Sequence, residues 1–267
     1  MNDRRIPIVL SIAGSDSGGG AGIQADLKAI ARCGAHGMTA ITALTAQNTV
    51  GVSAIEPVSP SMIIEQIRAV ASDIGVDAVK IGMLGSIETI EAVAKGLDLV
   101  GDAPVVVDPV MVAESGADLL RPEARQALIE IILPRATVVT PNIPEARLLT
   151  GLDSESSQSE LAGAVLALGS ENVVVTGGHS ERIVDLFHDG TSTVEIDGKR
   201  FPGTSSHGSG CTHSSVLASM LAAGQDPLSA ARSARRIASQ AVENGLDSIG
   251  AGPGPVDVIG LSESRWD

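Results

Sequence analysis

Short runs of β-branched residues recur along the chain, each followed by a longer Ala/Leu/Ile-rich segment with helical spacing. This alternation constrains the fold more than any other feature. Residues 6–14 (IPIVLSIAG) read as a buried strand, and a glycine loop leads from it into the helix GIQADLKAIARCG, which Gly34 stops. Strands follow at 38–45 (MTAITALT) and 50–58 (VGVSAIEPV). Ser59 caps and Pro60 opens the next helix, which runs through MIIEQIRAVASD. The same beat continues through strand 77–82, helix 86–96 and strand 104–110. Helix RPEARQALIEII, strand ATVVTPN, helix SELAGAVLALG and strand NVVVTGG extend it. Such alternation is the mark of βα units on a parallel sheet. The period changes in RIVDLFHDGTSTVEIDGKRF, where two Asp-Gly turns separate alternating segments, as in antiparallel edge strands. Two helices, GCTHSSVLASMLAAG and DPLSAARSARRIASQAVENG, come last. The economical reading is one doubly wound α/β domain over residues 1–267, with antiparallel strands at the sheet edge.

The layers of such a sheet must here be filled with aliphatic side chains. Hydrophobic residues make up 43% of the chain but aromatics only 1%, with two Phe, one Trp and no Tyr. So few rings argue against a base-stacking surface. Eighteen basic against thirty-two acidic residues give a formal charge of −14, which repels polyanions. Nucleic acid is therefore not an expected partner; a small phosphate carrying a metal counter-ion is. Two distant cysteines make neither a disulfide framework nor a metal-spacing pattern, which points to a reducing, cytoplasmic setting. Aspartate and glycines interrupt the first apolar run before a signal core forms, and no stretch reaches the roughly 18 apolar residues of a membrane span.

In open α/β sheets, ligands bind outside the carboxyl ends of the strands. Those ends read AGSDSGGGAG, TAQN, KIGML, DPVM, TPNIPE, TGGH and HGSGC. Their glycines, small polar residues and carboxylates point to one composite site. The first glycine loop is not a Walker loop, because Gly22 is followed by Ile23 and Gln24. Gly20-x-Gly22-x-x-Ala25 fits the looser dinucleotide fingerprint, but the acidic residue expected about 20 positions on is missing. A tight strand-to-helix turn explains these glycines equally well. Asp26 is either a first-turn acid favoured by the helix dipole or a ligand that reaches into the crevice. Asp108 ends the most strand-like run, where a desolvated carboxylate calls for a cation. Glu145, three residues after Asn142, is either the partner in a capping box or a second magnesium ligand; magnesium takes one or two carboxylates plus phosphates.

The stretch HGSGC is a glycine turn entering a helix, whose free N–H groups and positive dipole end form an anion site. Cys211 lies there, where the helix N-terminus is expected to lower the thiol pKa and let it accept a proton from an attacking hydroxyl. The alternative is a small apolar residue at a tight turn, which is also the reading for Cys33. His179, His188, His207 and His213 lack a third ligand at metal spacing.

In combination these motifs resemble one family. AGSDSGGGAGIQADLK, ALTAQNTVGV, VKIGML, VVVDPVM, TPNIPEA, TGGH and HGSGCTHSSVLASMLA follow the order and spacing of the bacterial and archaeal hydroxymethylpyrimidine/phosphomethylpyrimidine kinases of thiamine biosynthesis. The resemblance spans residues 7–245 and implies a ribokinase-like three-layer α/β/α fold. It implies a kinase that uses ATP and magnesium twice: on the hydroxymethyl group of an aminopyrimidine, then on that monophosphate. Gln47 is expected to pair with the pyrimidine's ring nitrogen and amine, with Gly14, Asp26, Met83 and Val110 lining the pocket. Asp108 and Glu145 fall where the family handles magnesium, and Asn142, Thr176, Gly178 and Ser209 where it handles ATP. Gly208 and Gly210 are expected to form the anion hole, with Cys211 as catalytic base. Relatives also imply a homodimer. Three departures stand out: Gly-Ser-Gly for the usual Gly-Thr-Gly, Thr176 for a common Lys, and Ser17 for a common Pro, a change expected only to loosen the loop. A pyridoxal kinase on the same scaffold is the alternative, against which Gln47 speaks. A non-catalytic pyrimidine sensor ranks below both, because Cys211 and both acids are retained.

Overall fold

The computed structural model describes residues 5–112, 116, 119–178, 183–201 and 205–262. The chain enters through strand β1 (Ile8–Asp16), helix α1 (Gly22–Arg32), and the hairpin of β2 (His36–Asn48) and β3 (Gly51–Pro57). Helix α2 (Pro60–Asp73), strand β4 (Ala78–Ile81), helix α3 (Ile87–Leu97) and strand β5 (Val105–Val107) follow. The middle holds α4 (Pro122–Ala127), β6 (Val138–Val139), α5 (Ile143–Thr150), α6 (Gln158–Leu166) and β7 (Asn172–Val175). Strands β8 (Val184–His188) and β9 (Thr193–Asp197) precede helices α7 (Ser209–Ala222) and α8 (Pro227–Glu243). Among the described residues no helix is long and apolar enough to cross a membrane.

One nine-stranded sheet runs β3-β2-β1-β4-β5-β6-β7-β8-β9 through the described residues. Pairing is parallel from β2 across to β7. It is antiparallel where β3 joins β2 and where β8 and β9 complete the opposite edge. Both faces of the central strands are covered, so successive residues enter different cores. Leu10, Ile12, Val79, Ile81, Val105 and Val107 pack with Ile63 and Ile67 of α2 and Ile90 of α3. Val9, Val106, Val138 and Val174 pack with Ile30 of α1, Leu217 of α7 and Ala234 of α8. This two-sided burial is why these strands read as unbroken apolar runs. Each fully buried Ile or Leu contributes about 1.5–3 kcal/mol. The alternation also sends Ser11 and Lys80 into the α1/α7 layer, and both are fully buried.

Several elements differ from the sequence expectation. The second strand is longer, because it runs on past its last pair with β1 to complete the edge hairpin with β3. Strands β5 and β6 shrink to their valine cores. The helix expected over 121–132 holds α-helical geometry only to Ala127, then widens to a π turn over Leu128–Ile132 and tightens into a 3-10 turn at Leu133–Arg135. Pro134, which has no N–H to donate, lies in that last turn.

The chain leaves β1 toward β2 but later moves from β4 toward β5, on the other side of β1. In open α/β sheets such a reversal, here at the carboxyl ends of β1 and β4, is where a ligand crevice forms.

Candidate active site

The glycine loop after β1 is organised by a protein carboxylate. Asp16 accepts hydrogen bonds from Gly18 N (2.8 Å), Gly20 N (3.0 Å) and Ala21 N (2.8 Å). His207 Nε2 approaches the same carboxylate at 3.2 Å. Burial pushes the Asp16 pKa up, but the hydrogen bonds from His207, Ala21 and Gly18 outweigh it and hold the group below its ordinary value. The loop's donors are thus taken up by the protein itself, and the tight-turn reading of these glycines is the one the geometry bears out.

The second glycine turn is built against the first. Gly208, the N-cap of α7, has φ +82°, and a Cβ there would run into the carbonyl of Gly20. Only glycine satisfies both the left-handed backbone and the close approach. The α7 N-terminus has no side-chain cap; Ser209 N closes the turn onto Ser206 O at 3.0 Å, while the exposed Gly210 lies at the open end of the helix.

Beneath the turn lies a buried charge cluster. Lys80 Nζ donates to both oxygens of Asp26 (2.9 and 3.0 Å) and lies 4.0 Å from Asp108 Oδ2. Ser11 and Ser215 hydroxyls donate to Asp26 at 2.6 and 2.8 Å, and Ser214 donates to Asp108 at 3.0 Å. Burial opposes the ammonium form of Lys80, but the charges of Asp26, Cys211 and Asp108 outweigh it and hold its pKa above the ordinary value. Asp108 is raised by burial despite Lys80 and Ser214. Glu145 is pushed up to about 8 by burial and by the charge of Asp108, against hydrogen bonds from Asn142 N and Met111 N. Asn142 and Glu145 also form a reciprocal capping box (2.8 and 2.9 Å), so the structural role of this pair is present whatever else it does.

Two expectations are corrected. Asp26 does not line the crevice: it is fully buried under it, with its carboxylate taken up by Lys80, Ser11 and Ser215. The Cys211 thiol is raised rather than lowered. Burial pushes it up to about 12; Asp26 and Asp108 add to this, and together they outweigh Lys80 and the Gly22 backbone hydrogen bond. The dipole argument fails because it counts one helix end and ignores the burial of the thiol first, and two buried carboxylates after it.

The other expected residues lie at or just beyond the carboxyl ends of strands, apart from Ser209 at the start of α7. Gly14 and Met83 touch, since a Cβ on Gly14 would meet the Met83 methyl at 2.5 Å. Val110 N closes a turn onto Asp108 O at 2.8 Å. Gln47 lies half-buried on the β2–β3 hairpin, its Oε1 accepting from Thr45 Oγ1 at 3.1 Å. Asn142 and Thr176 are joined by a parallel bridge, Gly178 is exposed beyond them, and Ser209 opens α7 next to Gly208 and Gly210. His179 lies outside the described residues, as do Gly203 and Thr204 ahead of the turn. The sequence reading missed Lys80, Ser11, Ser214 and Ser215. Lys80 did leave a signal: a lysine centred in the buried strand AVKI must have a partner.

The phosphomethylpyrimidine kinase family model matches residues 16–257. A hydroxymethylpyrimidine/phosphomethylpyrimidine kinase of Rhizobium meliloti is 50% identical over 256 residues, covering 93% of this chain and 96% of that protein. The crystal structure of phosphomethylpyrimidine kinase from Clostridium difficile matches with TM-score 0.78 at 40% identity, over 89% of this chain and 100% of that one. Pyridoxal kinase from Staphylococcus aureus in complex with AMP-PCP and pyridoxal matches with TM-score 0.87 at 34% identity, over 96% and 94% of the two chains. With the crevice, the anion turn and these similarities together, the chain belongs to the phosphomethylpyrimidine kinase family.

Proposed function

We propose that this chain is an ATP-dependent kinase of thiamine biosynthesis. It phosphorylates the hydroxymethyl group of 4-amino-5-hydroxymethyl-2-methylpyrimidine, then the resulting monophosphate to the diphosphate. The observation that carries this reading is the open anion turn of α7 set directly over the Lys80–Asp26–Asp108 cluster at the strand switch point.

In the first transfer the hydroxyl oxygen bonds to the γ-phosphorus of ATP, and the bond from phosphorus to the ADP oxygen breaks. The N–H groups of Gly208 and Gly210 stabilise the charge on the transferring group. Cys211, as thiolate, takes the hydroxyl proton. The charge on Asp108 helps keep that thiol protonated, so neutralising Asp108 favours the thiolate. Gly14, Gln47, Met83 and Val110 bound the pyrimidine side, supported from below by Asp26. Asn142, Thr176, Gly178 and Ser209 bound the nucleotide side.

Asp108 and Glu145 suit magnesium (Mg2+). Both are raised carboxylates in a buried site where Lys80 hydrogen-bonds Asp26 and only reaches Asp108 at 4.0 Å. No cluster of three or more His, Cys, Asp or Glu among the described residues forms a complete metal site, and magnesium needs only one or two carboxylates plus phosphates. Bound there, the metal supplies positive charge against the transferring phosphoryl group.

The pyridoxal kinase fold similarity favours phosphorylation of pyridoxal as a second reading. Gln47 speaks for the aminopyrimidine, because one neutral amide both donates and accepts and so matches a ring nitrogen beside an amine. A coupled assay offering the pyrimidine alcohol, its monophosphate and pyridoxal in parallel separates the two. Faster turnover of pyridoxal overturns the leading reading. The remaining expectations belong to the same proposal: one domain over residues 1–267, a cytoplasmic setting, and no nucleic-acid or membrane partner. A homodimer completes it, and the exposed Leu44, Val50 and Ile55 on the β2–β3 hairpin supply an apolar surface for one.

A further inference from the structure

The β2–β3 hairpin carries a fault at the residue assigned to read the pyrimidine. Its antiparallel register runs regularly from Ala43↔Pro57 to Ala46↔Ala54, then shifts so that Gln47 opposes Val52. Ser53 is left as the extra residue of a bulge, and its hydroxyl donates to Ala46 O at 3.0 Å. Bulges interrupt the ladder and re-aim neighbouring side chains. At this break the Gln47 backbone finds a partner outside the hairpin. The single hydroxyl of Ser17, in the loop after β1, accepts from Gln47 N at 2.8 Å and donates to Gln47 O at 2.7 Å.

The loop that supplies this hydroxyl is itself fixed. Asp16 holds Gly18 N, and a Cβ on Gly18 would lie 3.3 Å from Asn48 Cα and 3.4 Å from Gln47 O. The loop therefore presses against the hairpin at the bulge, and only a small residue fits beside Ser17. A hydroxyl is the smallest side-chain group that can donate and accept at once, which both backbone atoms of Gln47 require. The expectation that Ser17 only loosens the loop is overturned, because it ties the loop to the hairpin.

We propose that Ser17 is a positioning residue for substrate recognition: its hydroxyl pins the backbone of Gln47 at the bulge and so sets the amide that pairs with the aminopyrimidine. This inference rests on the aminopyrimidine reading of the site. Ser17 touches no reacting atom, and its effect falls on the pyrimidine side of the crevice and not on the nucleotide side.

The test is steady-state kinetics of Ser17→Ala, Ser17→Thr and Gln47→Ala, with the pyrimidine alcohol and ATP varied in turn. Amide hydrogen exchange at Gln47 is followed in the same proteins. In Ser17→Ala, KM for the pyrimidine rises about tenfold, equivalent to about 1.4 kcal/mol and within reach of two surface hydrogen bonds. KM for ATP and kcat stay within about twofold of wild type, and the Gln47 amide exchanges faster. Ser17→Thr, which keeps the hydroxyl, restores wild-type values. A pyrimidine KM within about twofold of wild type in Ser17→Ala overturns the proposal, as does an equal rise in KM for ATP. If Gln47→Ala alone raises the pyrimidine KM, Ser17 is removed from recognition while the functional reading stands. A wild-type protein that binds no aminopyrimidine overturns that reading, and this inference with it.

Discussion

Replacing Lys80 with methionine keeps the apolar stem of the side chain and deletes only the buried charge. The consequence follows from what remains. Asp26 is fully buried, and after the substitution its remaining hydrogen-bond donors among the described residues are the Ser11 and Ser215 hydroxyls at 2.6 and 2.8 Å. Asp108, 4.0 Å from Nζ in the wild type, loses the same cation. Breaking a buried pair by removing one partner costs about 3–5 kcal/mol, whereas removing both charges is close to neutral. Urea unfolding of Lys80→Met is therefore expected to show that loss, and the double variant Lys80→Met/Asp26→Asn to recover more than half of it. Activity is expected to fall as well, because the charge of Lys80 lowers the Cys211 thiol. A Lys80→Met protein within about 1 kcal/mol of wild type, or a double variant whose loss is the sum of the two single losses, would refute the reasoning.

Three further outcomes are expected. Raising the Cys211 thiol from 9.0 to about 12 disfavours the thiolate by about 4 kcal/mol, an upper value because the residue is only half-buried. Cys211→Ala slows the first phosphorylation about a hundredfold or more. It slows the second by less than about tenfold, because a phosphate oxygen is already deprotonated; equal losses in single-turnover assays would remove the base role. Glu145, raised from 4.5 to about 8, holds a proton in the folded chain that the unfolded chain has released. The metal-free protein thus loses stability as pH climbs through that window, and magnesium raises Tm more at pH about 9 than at about 6; equal shifts at the two pH values contradict the metal role. Both ring nitrogens of His213 are buried without hydrogen-bond partners among the described residues, and Nε2 lies 3.5 Å from Asp185 Oδ2. His213→Leu is therefore expected to gain about 1–3 kcal/mol. Burial also holds His213 below its ordinary 6.5, so wild type loses stability as pH falls through that value and the leucine variant loses less; parallel pH profiles would contradict this.

How much could be read beforehand divides along physical lines. The parallel core was legible because two-sided burial writes itself as valine and isoleucine runs such as Val105–Val107. The anion turn was legible because a left-handed N-cap requires a glycine such as Gly208. Contacts between distant parts of the chain left far weaker marks. The pairing of Lys80 with Asp26 joins residues 54 positions apart, and the partner of Asp16 lies 191 positions away. The state of Cys211 is set first by its burial and then by the charges of Lys80, Asp26 and Asp108, so local helix chemistry alone pointed the wrong way. Ser17 looked like a missing proline until its hydroxyl was seen at the Gln47 backbone.

The meeting of Gly20 with Gly208 has a kinetic consequence. The loop after the first strand and the turn before the seventh helix shape each other, with Asp16 reaching His207 across most of the sequence. Contacts this remote are closed late, after the intervening loops have lost their freedom. A chain emerging in order can complete the sheet from β1 to β9 while its anion turn is still unmade. Nucleotide affinity is therefore expected to appear only once these two turns have met, and to be lost when they come apart.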